Sequence, residues 1–123
     1  MRATRATIVA LSAMRIGIGA LAWASPSTTR RLFGMRGPAT ADAVYPWRLF
    51  GIRDVALGTA TLRASDEQRR ALVAFGLLCD AADGAAAVIG RRDGSLPPST
   101  TGLVAVPAAA VALGLWLLRE DTR

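Results

Sequence analysis

Six ionisable side chains interrupt the apolar stretches of this sequence, and they are its candidates for chemistry. A carboxylate can give or take a proton, and a guanidinium can hold an anionic or carbonyl group. We therefore treat the set as a candidate acid–base or binding site, in which the three aspartates are the candidate catalytic groups. The six residues are Arg15, Arg48, Arg53, Asp54, Asp80 and Asp83.

The depth of these charges within their apolar stretches indicates that they meet. Arg15, Arg53, Asp54 and Asp80 each lie near the middle of an apolar stretch. Antiparallel helices would bring all four within about one turn, roughly 5 Å, of a common level. Arg48 lies toward the start of the second apolar stretch, and Asp83 lies toward the end of the third. Because the two helices would run antiparallel, both shifts point to the same side, which predicts an Arg48–Asp83 pair.

Helical spacing surrounds the charges with small residues. Asp80 and Asp83 are three positions apart and share a helix face. Gly51 and Gly58 share a face with Asp54, which would let neighbouring backbones approach closely. In the first apolar stretch, Arg15 and Gly19 are four positions apart and share a helix face. No strand precedes Gly17 and Gly19, so we expect these two glycines to pack helices rather than to form a phosphate loop.

A purely structural interpretation competes with the functional one. Each Arg or Asp at the centre of a membrane span costs about 2.5 to 3.5 kcal/mol, so six unpaired charges would cost roughly 15 to 20 kcal/mol. Pairing in the protein interior removes most of this cost. The charges could therefore be an ion-pair network that fixes helix order and register.

Composition excludes several kinds of site. The chain has no His, no Lys and a single cysteine, Cys79, so neither an internal disulfide nor a thiolate metal cluster can form. We predict no metal and no cofactor, and we interpret Cys79 as a small buried residue rather than a nucleophile. The formal charge is +6. Because the arginines border apolar stretches, we interpret them as lipid-facing anchors and predict no nucleic-acid partner.

The elements that must position these residues are four apolar stretches in a single domain, 1–123. Fifty-two per cent of the residues are hydrophobic and the mean hydropathy is +0.34. Lengths near 20 residues predict an all-α, up-down four-helix transmembrane bundle. A cleaved signal peptide at the start and a soluble helical bundle are the alternatives. The predicted spans are about 7–24, 43–62, 70–89 and 101–118.

The connections are less regular. Segment 25–42 predicts either a short interfacial helix or a disordered loop, since apolar and Arg residues alternate there. Ser65 and Gln68 have the spacing of a capping box for the third helix. Segment 90–100 predicts a loop. Arginines outside the spans number seven on the side of both termini and five on the other, which predicts cytoplasmic termini in a multi-pass plasma-membrane protein.

The sequence also resembles a known family. The segments RIGIGALAWASPS (15–27), RLFGIRDVALGTATL (48–62) and CDAADGAAAVIG (79–90) resemble domain-of-unknown-function family 4267. These are small four-helix membrane proteins of bacteria and fungi, DoxX-like in layout. The resemblance spans about residues 8–118 and implies a fold and a membrane location but no activity. Its most distinctive residues are Gly51, Arg53, Asp54, Leu57 and Gly58, with Asp80 and Asp83. The use of Arg without Lys and the abundance of Ala are typical of a high-GC bacterium, so we expect a bacterial inner membrane.

Three functions are compatible with these observations. The first is a non-catalytic membrane protein that binds a lipid or a partner membrane protein, with the charges as scaffold. A chain this small would also gain buried surface as a homo-oligomer or in a larger complex. The second is a membrane enzyme that acts on a lipophilic substrate through Asp80, Asp83 and Asp54, assisted by Arg15 and Arg53. The third is a proton- or ion-coupled carrier using the same residues.

Overall fold

The computed structural model describes residues 2–120, with side chains from residue 5 onward. This part of the chain is all-α and contains no strand, as predicted. Arg123 and the side chain of Arg2, both used in the charge comparison, lie outside the described residues. The helices are α1 (Arg2–Ala24), α2 (Pro26–Leu32), α3 (Ala41–Arg63), α4 (Asp66–Arg92) and α5 (Gly102–Glu120).

The four long helices α1, α3, α4 and α5 correspond to the four predicted apolar stretches, and the fifth helix lies in segment 25–42. There the helical alternative is confirmed over seven residues, with Pro26 in the first turn. The connection between α3 and α4 is shorter than predicted. Ser65 and Gln68 form the predicted capping box, so α4 starts at Asp66 and only residues 64–65 remain outside the helices.

Three of the long helices are long and apolar enough to cross a membrane. They are the segments Arg5–Ala24, Asp66–Arg92 and Gly102–Glu120. Helix α3 has sufficient length, 23 residues, but carries too many charges to qualify by composition. The prediction of four spans is therefore supported by composition for three helices only.

Each long helix packs antiparallel against two neighbours. The order around the molecule is α1, α3, α4, α5 and back to α1, and α2 lies against α1 and α3. Consequently α1 faces α4 across the interior. The α1–α3 contact is very close, because a Cβ on Gly19 would lie 2.5 Å from the Gly51 carbonyl oxygen and one on Gly58 would lie 2.8 Å from that of Ser12. The packing role predicted for Gly19 is confirmed, whereas Gly17 has nothing within 4 Å of its Cβ position.

Many large apolar side chains lie at the surface of the helices, and several polar ones are buried. The apolar core is small and centres on Leu11, Val73, Ala110 and Leu117, near the end of the molecule where α3 and α4 are connected. Among the side chains of residues 5–120, fifteen large apolar ones are exposed, including Leu78 at 64%. Over the same range, eight polar or charged residues are buried: Ser12, Arg15, Thr29, Arg30, Asp54, Thr61, Asp80 and Thr100.

Candidate functional site

Arg15 and Asp80 form a two-point ion pair across the interior. Arg15 Nη1 donates to Asp80 Oδ1 at 3.0 Å, and Nη2 donates to Oδ2 at 2.5 Å. The side chains are 6% and 8% exposed. The guanidinium reaches α4 over Gly76, where an added Cβ would lie 2.8 Å from Arg15 Nη2. A glycine at that position therefore makes room for the pair.

A second two-point pair joins α3 to α4. Arg53 Nη1 and Nη2 donate to the two carboxylate oxygens of Asp83 at 3.3 and 2.5 Å. These side chains are 35% and 31% exposed, so the pair lies nearer the surface than the Arg15–Asp80 pair. The Arg53 guanidinium also lies 5.3 Å from the centre of the Phe50 ring, a cation–π distance.

The predicted Arg48–Asp83 pair is wrong. Both Asp83 oxygens are bonded to Arg53, which lies more than one helical turn along α3 from Arg48. The Arg48 Nε donates instead to the backbone oxygen of Trp23 at 3.3 Å, in an exposed position. Arg48 thus binds the carboxyl end of α1, where the last carbonyl groups of a helix have no partners within it. It does not belong to the interior charges.

Asp54 is buried beside the two pairs without a hydrogen bond of its own. Its residue is 6% exposed, and its Oδ1 lies 3.5 Å from Arg53 Nη2. No side chain or backbone group among the described residues donates to that oxygen. Asp80 and Asp83 are each held by two hydrogen bonds from a guanidinium, so Asp54 is the predicted catalytic candidate with a carboxylate oxygen that receives no hydrogen bond.

A cavity of about 320 Å³ opens beside these charges. Its inner end carries the side chains of Arg15, Asp54, Asp80 and Asp83, and the rest of its wall is apolar. The cavity runs from this charged end toward the end of the molecule formed by α2 and the start of α5. Its apolar lining residues are Met14, Ile18, Phe33, Pro46, Trp47, Phe50, Ala86, Ala87, Leu96, Leu103, Val106, Pro107 and Ala110.

The aromatic part of this wall was missed by the sequence analysis. The Phe33 and Trp47 rings are 5.5 Å apart, and the Trp47 and Phe50 rings are 6.2 Å apart in an edge-to-face arrangement. One signal could have shown it: Trp47, Phe50 and Asp54 are spaced three and four positions apart and share one helix face. Phe33 directly follows the last residue of α2 and joins the wall from there. Residue spacing within α3 could not have predicted its place.

A second cavity, of about 630 Å³, lies at the opposite end of the helices. Its charged lining includes Asp66 and Arg69, which pair with each other at 2.6 Å while Asp66 is almost fully exposed. It contains none of the six predicted residues. The free thiol of Cys79 is half-buried and lines neither cavity.

The described residues offer no obvious metal centre, since no three His, Cys, Asp or Glu side chains among them are grouped to hold an ion. The cavity with its buried charges is therefore the candidate functional site. Comparison with known proteins assigns neither a family nor a function to this site, since no family model, curated protein or solved structure matches the chain.

Proposed function

We propose that this chain is a multi-pass membrane protein in which α1, α3, α4 and α5 form a four-helix transmembrane bundle. The exposed apolar side chains would then face lipid. Helix α3, about 35 Å long at 1.5 Å per residue, has the length to be the fourth span. Its central charges have partners or are buried, since Arg53 is paired with Asp83 and Asp54 is buried.

Within this bundle the ion pairs act as scaffold and the cavity binds a lipophilic molecule from the membrane. The observation that carries this proposal is the cavity itself, which has apolar walls and a charged inner end. A network that served only to hold the helices together would leave no space beside the charges. Ligand sites have this composition, with mostly apolar walls that supply affinity and a few polar groups that fix orientation.

A variant that fills the cavity tests the binding proposal. Val106 lines the cavity, and Val88, an exposed residue of α4, does not. We expect a lipophilic molecule to co-purify with the wild-type chain in mild detergent, and Val106→Phe to lose most of it. Val88→Phe, which adds the same ring to the outer surface, should retain it. Equal recovery from Val106→Phe and the wild type, measured by mass spectrometry of the extract, would contradict the proposal.

Membrane insertion has its own test. An integral protein stays with the membrane pellet during alkaline carbonate extraction and is released only by detergent. Release of this chain into the carbonate supernatant would exclude the bundle in favour of the soluble alternative. Cross-linking in detergent would show whether the chain assembles into a homo-oligomer or with another membrane protein, as its small buried core favours.

The Asp54 oxygen that receives no hydrogen bond supports a second candidate, a membrane enzyme using acid–base chemistry. Asp54 would take or give the proton, while Asp80 and Asp83 keep Arg15 and Arg53 in place. An enzyme predicts that cells carrying Asp54→Asn accumulate a substrate and lose a product in their lipid extract. A binding protein predicts an unchanged cellular lipid profile.

Membership in domain-of-unknown-function family 4267 belongs to the same proposal. It is supported by the G-x-R-D-x-x-L-G motif that begins at Gly51 and by the D-x-x-D pair of α4. In the structure both motifs lie at the ion pairs: the first supplies Arg53 and Asp54, and the second supplies Asp80 and Asp83. Family membership would therefore imply conservation of this site rather than of the surface.

A further inference from the structure

We infer that the cavity selects lipophilic molecules whose polar end is a protonated amine, bound at Asp54. The inference rests on the proposed binding function and adds the chemistry of the ligand's polar end. It follows from the charge balance at the inner end of the cavity, from the Asp54 oxygen that receives no hydrogen bond, and from the size of the cavity.

The inner charges carry one more carboxylate than guanidinium. Two arginines, Arg15 and Arg53, face three aspartates there, which leaves a formal excess of one negative charge (2 − 3 = −1). Arg48, the third arginine predicted for this cluster, is bonded to the end of α1 and does not offset the excess. Asp54 shares Arg53 with Asp83, at 3.5 Å and without a hydrogen bond, so its buried charge is only partly offset. An incompletely compensated buried charge is costly, so the site favours a ligand that supplies one positive charge.

Both guanidiniums already hold an aspartate in a two-point pair. Each gives two of its five N–H groups to a single aspartate, Arg15 to Asp80 and Arg53 to Asp83. Arg53 does not line the cavity, so an anionic or carbonyl head group there could reach only a remaining N–H group of Arg15 and could not form a two-point pair without displacing Asp80. The geometry thus disfavours the fatty acids and phosphorylated lipids that free arginines would attract.

Asp54 presents what an ammonium group needs. It is nearly fully buried, lines the cavity and has an oxygen that receives no hydrogen bond. An ammonium group carries N–H donors and the missing positive charge, whereas an alcohol carries one donor and no charge. A carboxylate carries neither, and it would add a second unbalanced negative charge. The expected order of affinity is therefore amine, alcohol, carboxylate.

The size of the cavity limits the apolar part of the ligand. About 320 Å³ is at the low end of small-molecule sites, which range from about 300 to 1,000 Å³. One alkyl chain or a small ring system fits this range, and a whole two-chain lipid does not. With the amine at Asp54, the chain would run along the wall toward Phe33 and Trp47.

Trp47 can report binding directly. A background with Trp23→Phe and Trp116→Phe removes the two other tryptophans, both of which have exposed side chains. The probes are octylamine brominated on its far carbon and the matching alcohol and carboxylate, because bromine quenches a nearby indole. Titration into the protein in mild detergent gives an apparent Kd for each probe. The same titration of the Val106→Phe variant supplies the correction for quenching from the detergent phase.

We expect the amine to bind at least about tenfold more tightly than the alcohol, and the carboxylate most weakly, since charge-assisted hydrogen bonds are the stronger kind. In Asp54→Asn the amine should fall to the affinity of the alcohol. The three-probe comparison on the single-tryptophan chain needs no Asp54 variant, so the inference stays testable if that variant does not fold.

The outcomes separate this inference from the proposed function. If all three probes bind equally, or the carboxylate binds best, and Val106→Phe abolishes quenching, the amine preference is wrong while the cavity remains a binding site. An unchanged amine affinity in a folded Asp54→Asn variant also overturns the preference. A different outcome is that Trp47 fluorescence is quenched equally in the single-tryptophan chain and in its Val106→Phe and Val88→Phe variants. In that case the probes do not enter the cavity, and the proposed binding function is wrong.

Discussion

Arg15 and Asp80 are 65 positions apart in the sequence and form a two-point ion pair across the diagonal of the four long helices. No close backbone approach joins α1 to α4 within the described residues, because each packs against α3 and α5. The pair is therefore a direct link between two helices that are otherwise separated. Both partners are buried, which makes the link sensitive to the loss of either charge.

We expect Asp80→Ala to lower the free energy of unfolding by about 3–5 kcal/mol, because it leaves the Arg15 guanidinium buried without a partner. The double variant Arg15→Met with Asp80→Leu should recover most of that loss, since apolar residues of similar size need no partner. Unfolding in detergent, followed by circular dichroism, measures both. A single variant as stable as the double variant would show that the pair does not hold α1 to α4.

The Arg53–Asp83 pair serves as a matched comparison. Its side chains are about one-third exposed, and without Asp83 the Arg53 guanidinium would still have the Asp54 carboxylate 3.5 Å away. We expect Asp83→Ala to lower the free energy of unfolding by about 1–3 kcal/mol, less than Asp80→Ala, because Arg53 is not left without an anion. A larger loss at Asp83 than at Asp80 would mean that burial does not set the importance of the two pairs.

Two glycines on α1 should respond oppositely to the same substitution. A Cβ on Gly19 would lie 2.5 Å from the Gly51 carbonyl oxygen and 2.9 Å from the Val55 nitrogen. Because both obstacles are backbone atoms, Gly19→Ala must push α1 away from α3, at a cost of about 1–3 kcal/mol. Gly17→Ala meets nothing within 4 Å and should be neutral or stabilising by up to about 1 kcal/mol. Thermal unfolding of the two variants side by side decides the matter.

The orientation in the membrane can be read from the two ends of α4. Glu67 and Arg91 are about 36 Å apart along this helix at 1.5 Å per residue, more than the roughly 30 Å of a hydrocarbon core. In a Cys79→Ala background, we expect an impermeant maleimide to label Arg91→Cys on intact cells. Glu67→Cys should be labelled only after permeabilisation, if both termini are cytoplasmic. The reverse pattern would invert the orientation, and labelling of both from outside would contradict a spanning α4.

Much of the local structure follows from the sequence, because it depends on short-range chemistry. Apolar stretches of near-constant length predict the four long helices, and the Ser65–Gln68 spacing predicts the start of α4. The choice in segment 25–42 between helix and loop was not settled by the sequence. The structure gives a helix of only seven residues there, a length at which tertiary contacts rather than propensity decide.

The sequence also determined that Arg15 and Asp80 lie at a common depth, because depth depends only on the distance along each helix. It did not determine which arginine pairs with Asp83, since the answer depends on how α3 is rotated against α4. Arg48 and Arg53 are only five positions apart on α3. The Arg48 side chain is nevertheless exposed, whereas the Arg53 side chain is partly buried and bonded to Asp83.

The cavity and the Asp54 oxygen that receives no hydrogen bond were decided by the tertiary structure alone. Empty space lies between the closely packed α1–α3 pair, in contact at Gly19, Gly51 and Gly58, and the α4–α5 pair, and no local pattern encodes the spacing between the two pairs. The sequence by itself determined which charges would need partners in a membrane-spanning bundle, because hydrocarbon cannot solvate them. Only the packed helices decided that Arg48 would lie outside the interior and that Asp54 would be left without a hydrogen bond, because both depend on which partners come within hydrogen-bonding distance.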